Sequence, residues 1–290
     1  MKFSVSSYSF AKMIQAKEIT PFDCIAKAKE LGFDGIEFVD FIDILHIPED
    51  ERVEYAKKLK AEADRCGLEI TSFTVAADFL TKENEVQRIK TLVDIGEILG
   101  VKRMRHDATS GYGFEVGKYK TFDSVVEQVA AACREVTIYA ESKGITTMME
   151  NHGFFSQDSD RVEKLYNAIN HPNFKILCDM GNFLCADEDP ALAFAKLAPL
   201  AGYAHAKDFI FKSYNEPNPG MGSFQTRSGN YLRGTIIGHG NVPVKQCLYL
   251  LHKAGYDDAI AIEFEGVEDV ITALTIGLDN LKRYWAEVTA

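Results

Sequence analysis

Ile145-Thr-Thr-Met-Met-Glu150-Asn151-His152-Gly153 is the stretch on which the fold turns. Five residues suited to a buried strand run into a carboxylate, an amide and an imidazole, and Gly153 then breaks the pattern before a helical segment begins near Asp158. A strand's two-residue period puts Thr146, Met148, Glu150 and His152 on one face. A carboxylate and an imidazole therefore arrive together at the C-terminal end of a strand, where α/β sheets and barrels place their chemistry. A solvated loop after a core strand would look the same if the pattern occurred once.

It recurs. Working outward, helical patterns end at Gly32, Gly67, Gly100, Gly144, Gly202 and Gly255, and at Pro172-Asn173. Each glycine suits the left-handed position that closes a helix. Short apolar strands follow: Gly35–Val39, Leu68–Thr74, Val101–His106, Ile145 onward, Phe174–Asp179, Tyr203–Lys207 and Ala259–Glu263, with Phe3–Tyr8 preceding them. Amphipathic segments such as Asp50–Cys66, Asn84–Leu99, Phe122–Lys143, Asp160–Ile169, Pro190–Leu200, Val242–Ala254 and Asp269–Trp285 lie between or after them. Strict alternation predicts a parallel sheet, and eight units in about 250 residues predict a (β/α)8 TIM barrel in a single domain over 1–290. A doubly wound open sheet is the alternative, but no Gly-x-Gly-x-x-Gly follows the first strand. The segment from about 208 to 243 is too long for an ordinary connection and rich in glycine, so it reads as a long loop over the active site.

Composition narrows the function. The chain has 290 residues, 46% hydrophobic and 26% charged, with a net charge of −11. That is a globular composition without the basic stripe that nucleic-acid binding needs. The N-terminus carries no export signal, and the apolar tract 191–206 is broken well short of the ~20 residues of a membrane span. Six scattered cysteines without a Cys-x-x-Cys pair read as free thiols of a cytoplasmic protein. The expected partner is a small molecule; the oligomeric state, a homo-oligomer included, stays open.

Four strands end in a group able to hold a metal: Glu150, Asp179, His205 and Glu263. In a closed barrel these ends share one rim, and three carboxylates with one imidazole make a hard donor set suited to one divalent ion, Mn²⁺, Mg²⁺, Co²⁺ or Zn²⁺. A structural ion-pair cluster neutralised by Lys207 and Arg233 is the competing reading. His152 is a base, a substrate contact or a partner of Glu150; Tyr8, His106, Lys207 and Arg233 are further substrate contacts. Lys207 could alternatively attack a carbonyl as a Schiff-base lysine. Glu37 reaches the pocket or pairs with Arg103 or Arg105. Arg227 and Arg233 would suit a phosphate.

Glu150-Asn-His-Gly, Asp179-Met-Gly-Asn182, His205-Ala-Lys-Asp208, Gly238-His-Gly240 and Ile262-Glu-Phe-Glu-Gly266 resemble, in order, the strand-end motifs of the sugar isomerases and epimerases with a xylose-isomerase-like barrel. The resemblance runs over nearly the whole chain from the third strand onward. It implies a metal held by Glu150, Asp179, His205 and Glu263, with Glu150 and Glu263 doubling as acid and base on a ketose, sugar acid or sugar phosphate through an enediolate. Dehydration or lyase chemistry on a keto-sugar or keto-inositol, C-glycoside cleavage included, is the implied alternative. Where free-ketose 3-epimerases carry a glutamate, a histidine and an arginine around the sugar, this chain has Ser156, Asn182 and Phe211. The related repair endonucleases use a histidine-rich multi-zinc site, which seven scattered histidines in an acidic chain do not match.

Overall fold

The computed structural model describes residues 1–112 and 120–290. Eight parallel strands close into a barrel: β1 (Lys2–Ser6), β2 (Gly35–Val39), β3 (Glu69–Val75), β4 (Arg103–His106), β5 (Thr146–Glu150), β6 (Phe174–Asp179), β7 (Ala201–Ala206) and β11 (Ala259–Ile262), the last pairing with both β7 and β1. The expected strands are all present, within a few residues at their ends. Around them stand α2 (Pro21–Leu31), α4 (Arg52–Cys66), α5 (Glu85–Leu99), α6 (Phe122–Ser142), α7 (Ser159–Ile169), α9 (Pro190–Leu197), α10 (Val244–Lys253) and α11 (Val270–Thr289), with short α1 (Ala11–Gln15), α3 (Asp40–Asp43) and α8 (Asn182–Cys185) at the rim.

Local chemistry explains the boundaries. Thr20 and Asp23 cap α2 reciprocally and Pro21 opens it, a combination whose cap alone is worth about 1 kcal/mol. Gly67 closes α4 at φ 61°, a conformation in which a β-carbon would be strained. Gly202 breaks the expected pattern. It lies inside β7, where a β-carbon would stand 2.6 Å from Cβ of Lys175, so close approach of β6 rather than a helix end requires glycine there. The helix before β6 ends at Asn170, at φ 44°, and Pro172-Asn173 form the turn that follows, closed by a 3.0 Å bond from the Phe174 N–H to the His171 carbonyl.

Alternation divides the barrel side chains. Met148, Leu177, Tyr203, Ala259 and Ala261 form a small cluster within the barrel, and Tyr203 is anchored by a 2.7 Å hydrogen bond between its hydroxyl and Thr71. The opposite faces join the large apolar layer beneath the helices. Above the inner cluster, Glu150 and Asp179 follow Met148 and Leu177 in the same phase. The floor beneath them is fully buried and largely apolar, which strengthens every charge interaction at the rim.

The 208–243 segment is more regular than the sequence suggests. β8 (Asp208–Lys212), β10 (Tyr231–Thr235) and β9 (Phe224–Gln225) form a three-stranded antiparallel sheet. Buried Phe209 and Leu232 anchor it, and Asp208 ties its return by accepting from the backbone N–H groups of Gly238, Gly240 and Val242 at 2.8–3.0 Å. No described helix is long and apolar enough to cross a membrane, and none of the six cysteines is in a disulfide.

Candidate metal centre and its pocket

Neighbouring strands deliver the four proposed ligands to one point. One donor atom from each of Glu150, Asp179, His205 and Glu263 lies within 4.8 Å of the others. His205 Nε2 bonds the Glu37 carboxylate at 3.0 and 3.1 Å. A carboxylate only accepts, so Nε2 carries hydrogen and Nδ1 is turned to the cluster. Nδ1 stands 3.6 Å from Glu150 Oε1, 3.6 Å from Asp179 Oδ2 and 3.7 Å from Glu263 Oε2, too far for hydrogen bonds.

Asp179 is held with the same asymmetry. Its Oδ1 accepts from the N–H groups of Gly181 and Asn182, while Asn151 brackets its backbone through both amide atoms. Asp179 Oδ2 and His205 Nδ1 are both buried and without a hydrogen-bond partner. Such an orphan costs roughly 1–3 kcal/mol. Two of them converging between carboxylates are what a divalent cation would satisfy, and a carboxylate behind the imidazole is the usual support of a histidine ligand. The residues fit a metal. Burial would lower the pKa of His205, but Glu37 and Glu263 raise it well above the imidazole range, so without a cation Nδ1 holds a proton that metal binding would displace.

The two glutamates differ. Burial alone would raise Glu150, but Arg105, 2.5 Å from Oε2, and His205 hold it well below the carboxylate range; Asn182 also donates to Oε1 at 2.9 Å. Burial raises the Glu263 pKa, and Lys207 and His205 only partly oppose it. Lys207 pairs with Glu263, stands 3.4 Å from Asp179 Oδ2 and donates to Asn182 Oδ1 at 3.2 Å. Burial would lower its pKa, yet Asp179, Glu263 and Glu265 raise it well above the lysine range, so it is an ammonium.

A 170 Å³ cavity opens above the cluster with two unlike walls. Arg105, Asp107, Glu150, His152, Lys207 and Glu263 line one side; Tyr8, Val39, Phe41 and Ala76, beyond β1, β2 and β3, line the other. His152 Nδ1 donates to Asp107 at 2.9 Å, and Arg105 grips Asp107 at 2.8 Å, so Nε2 is the free nitrogen of a half-exposed ring. A larger cavity of 750 Å³, between α10 and α11, is lined by groups such as Tyr249 and Tyr284 and none of the cluster.

A model of the xylose isomerase-like TIM barrel family matches residues 25–284. The chain belongs to this family. Its barrel is similar to the probable 3-DHS dehydratase AsbF of Bacillus anthracis (18% identity, 97% of this chain and 99% of that one, TM-score 0.76). It is also similar to a xylose isomerase-like TIM barrel protein of Mycobacterium smegmatis in complex with magnesium (17%, 100% and 98%, 0.75). A third likeness is to the 3-keto-D-glucoside 4-epimerase YcjR of E. coli (16%, 98% and 99%, 0.71). Comparison with curated protein sequences finds no significant match.

Within this xylose isomerase-like barrel, Glu150, Glu263, His152, Tyr8 and Lys207 line the pocket as the sequence suggested. His106 and Arg233 do not. His106 faces outward, fully buried edge-on to Phe79 and beside Phe174, because its neighbour Arg105 takes the inward phase opposite Met148. Arg233, on β10, stands 4.0 Å from Glu268 away from the cavity, and Arg227 is committed to Asp158 and the carbonyl of Phe154. Glu37 pairs with His205, not with either arginine; Arg103 pairs with Asp258. Arg105, Asp107 and Glu265 are the charged pocket residues that the sequence reading did not single out as such.

His106 gives a test of its reassignment. Burial pushes its pKa down to about 4 from 6.5, so the unfolded chain binds a proton there that the folded chain refuses. Stability from this group is complete above pH 6.5 and is lost as pH falls toward 4, by about 3 kcal/mol. Between pH 7.5 and 4.5, urea denaturation should show His106→Leu gaining about 2–3 kcal/mol relative to wild type. Turnover should stay within about tenfold of wild type; a loss beyond ~100-fold, the size of a proton-transfer role, would return His106 to the site.

Proposed function

We propose that the protein is a divalent-metal-dependent isomerase or epimerase of a ketose, sugar acid or sugar phosphate, acting by proton transfer beside a carbonyl with Glu150 and Glu263 as the acid/base pair. The observation that carries this reading is the pair of orphaned, converging atoms His205 Nδ1 and Asp179 Oδ2 with a glutamate on either side. Bound there, a divalent cation would polarise the carbonyl and the neighbouring hydroxyl, lowering the cost of forming an enediolate. Glu150, kept ionised and oriented by Arg105 and Asn182, would accept the proton α to the carbonyl, and Glu263 would return one. Lys207 keeps positive charge beside Glu263, and Val39, Phe41 and Ala76 give the pocket an apolar wall. Both pocket cations are already paired with carboxylates, which favours an uncharged sugar over a phosphorylated one.

A second reading rests on the Asp107–His152 pair. A third proton-handling group at the pocket lets the same α-proton removal end in loss of a β-hydroxyl, which leaves as water with a proton from His152 Nε2; the similarity to a probable dehydratase agrees with it. The Schiff-base alternative has less support, since Lys207 is an ammonium fixed between carboxylates. The test is a panel of ketoses, keto-acids and their phosphates in deuterated water with Mn²⁺. Deuterium should enter one substrate α to its carbonyl, with an epimerised, isomerised or dehydrated product. Borohydride trapping of a covalent adduct at Lys207 in active, metal-free enzyme would replace this account with the lysine mechanism.

A further inference from the structure

A second chamber adjoins the first. It encloses 200 Å³ between the segment after β1 and the segment after β11, and Tyr8 and Glu265 line both cavities. These two side chains are thus a partition between neighbouring spaces on one rim. Either space alone falls below the roughly 300 Å³ at which ligand pockets begin, and the two together exceed it.

The chamber's lining has a definite chemistry. Phe264, Ala11 and Val270 give it an apolar floor, all three buried. Gln15 brings a side-chain amide at the exposed end. Among the described residues Glu265 has no cation within 4 Å in the ion pairs formed, so its half-buried carboxylate keeps acceptors to offer. Lys12 donates to the carbonyl of Gly266 and offsets the Glu265 charge, while Ser9 Oγ is spent on the backbone at Ile262 and Phe264. A carboxylate and an amide over an apolar floor, with little net charge, is the equipment for a neutral polyhydroxylated ring: hydroxyls donate to the carboxylate and accept from the amide, and C–H faces lie on the phenyl ring.

We propose that the substrate is a two-ring sugar, a disaccharide or related glycoside, whose reacting ring sits at the carboxylate cluster and whose second, unreacting ring occupies the chamber beyond Tyr8 and Glu265. This rests on the sugar-directed reading above and adds to it the length of the substrate. The linkage between rings crosses the partition, taking the place of the approach of the Tyr8 hydroxyl to the Glu265 carboxylate. Binding energy gathered on the second ring is available to position the first.

Calorimetry separates the two claims. Mn²⁺-loaded protein is titrated with cellobiose, maltose and sucrose, and with glucose and fructose, alongside Gln15→Trp, which fills the chamber from an exposed position and leaves the cluster untouched. At least one disaccharide should bind about tenfold or more tighter than its component sugars, and Gln15→Trp should abolish that preference without changing monosaccharide binding. Gln15→Ala, which removes the amide alone, should weaken the same disaccharide by a smaller factor. Equal binding of mono- and disaccharides, or equal weakening of both by Gln15→Trp, overturns the two-ring proposal. Deuterium exchange into monosaccharide ketoses would still stand in that case, so the failure of the chamber and the failure of the proton-transfer chemistry are told apart.

Discussion

Glu150→Gln and Glu263→Gln are each expected to lower turnover by at least ~100-fold, the usual size of a general acid/base contribution. Glutamine keeps an oxygen able to ligate but cannot take or give the proton. The two variants should differ, because the structure holds the two side chains differently. Glu150 is the counter-charge of Arg105, which is itself 6% exposed at its side chain, so Glu150→Gln leaves a buried guanidinium with Asp107 alone and should also lower the melting temperature. Glu263 is paired with Lys207, which retains Asp179 as a neighbour, so Glu263→Gln should cost less stability. The variant that keeps the abstracting base should still exchange the substrate's α-hydrogen with deuterated solvent without net conversion; the other should do neither. Near-normal turnover in both variants would remove the pair from the mechanism.

Asp179→Asn should lose metal and activity together. The two backbone N–H groups at Gly181 and Asn182 require an acceptor, so they will hold the amide oxygen in the place of Oδ1 and turn the NH₂ group toward the cluster. A donor then stands where Oδ2 faces His205, and it repels a cation instead of binding one. Elemental analysis after gel filtration should fall from about one ion per chain to near none, because each ligand here is also part of the charge balance. Full occupancy in this variant would count against the whole cluster as a metal site. The fold should survive, since the Asn151 bracket bonds the backbone of Asp179 and not its side chain.

Much of this site was legible before any coordinates. The ligands stand at strand ends, strand ends are marked by glycine-punctuated helices, and a parallel barrel brings all such ends to one rim, so Glu150, Asp179, His205 and Glu263 follow from local pattern and closure alone. What stayed hidden depends on register between strands. β4 is four residues long, and whether Arg105 or His106 faces inward is decided by its pairing with β5, Arg105 opposite Met148 and His106 opposite Met149. No periodicity within Arg103-Met-Arg-His106 carries that information, so the sequence points to the imidazole rather than the guanidinium. Asp107 was hidden for the same reason. The β8–β10 sheet is hidden in the sequence because its turns are glycine-rich and one strand is two residues long, and Arg233 looks like a pocket residue only while that segment reads as a loop. Gly202 looked like a helix end because a glycine required for interstrand approach and one required for a left-handed turn are the same letter.

The bond between Glu37 and His205 spans the hollow of the barrel, since β2 and β7 are separated in the sheet by β1 and β11 on one side. Every ligand lies in the second half of the chain, yet the carboxylate that sets the tautomer and ring orientation of the imidazole comes from the first. A C-terminal half taken alone would carry the full ligand set with an unbraced histidine. Loss of such an outer partner typically weakens metal affinity 10–100-fold. The metal centre thus depends on a contact across the lumen: a recombinant that exchanges the N-terminal half must bring its own acidic residue at the position of Glu37, or inherit a centre that is complete in composition and slack in geometry.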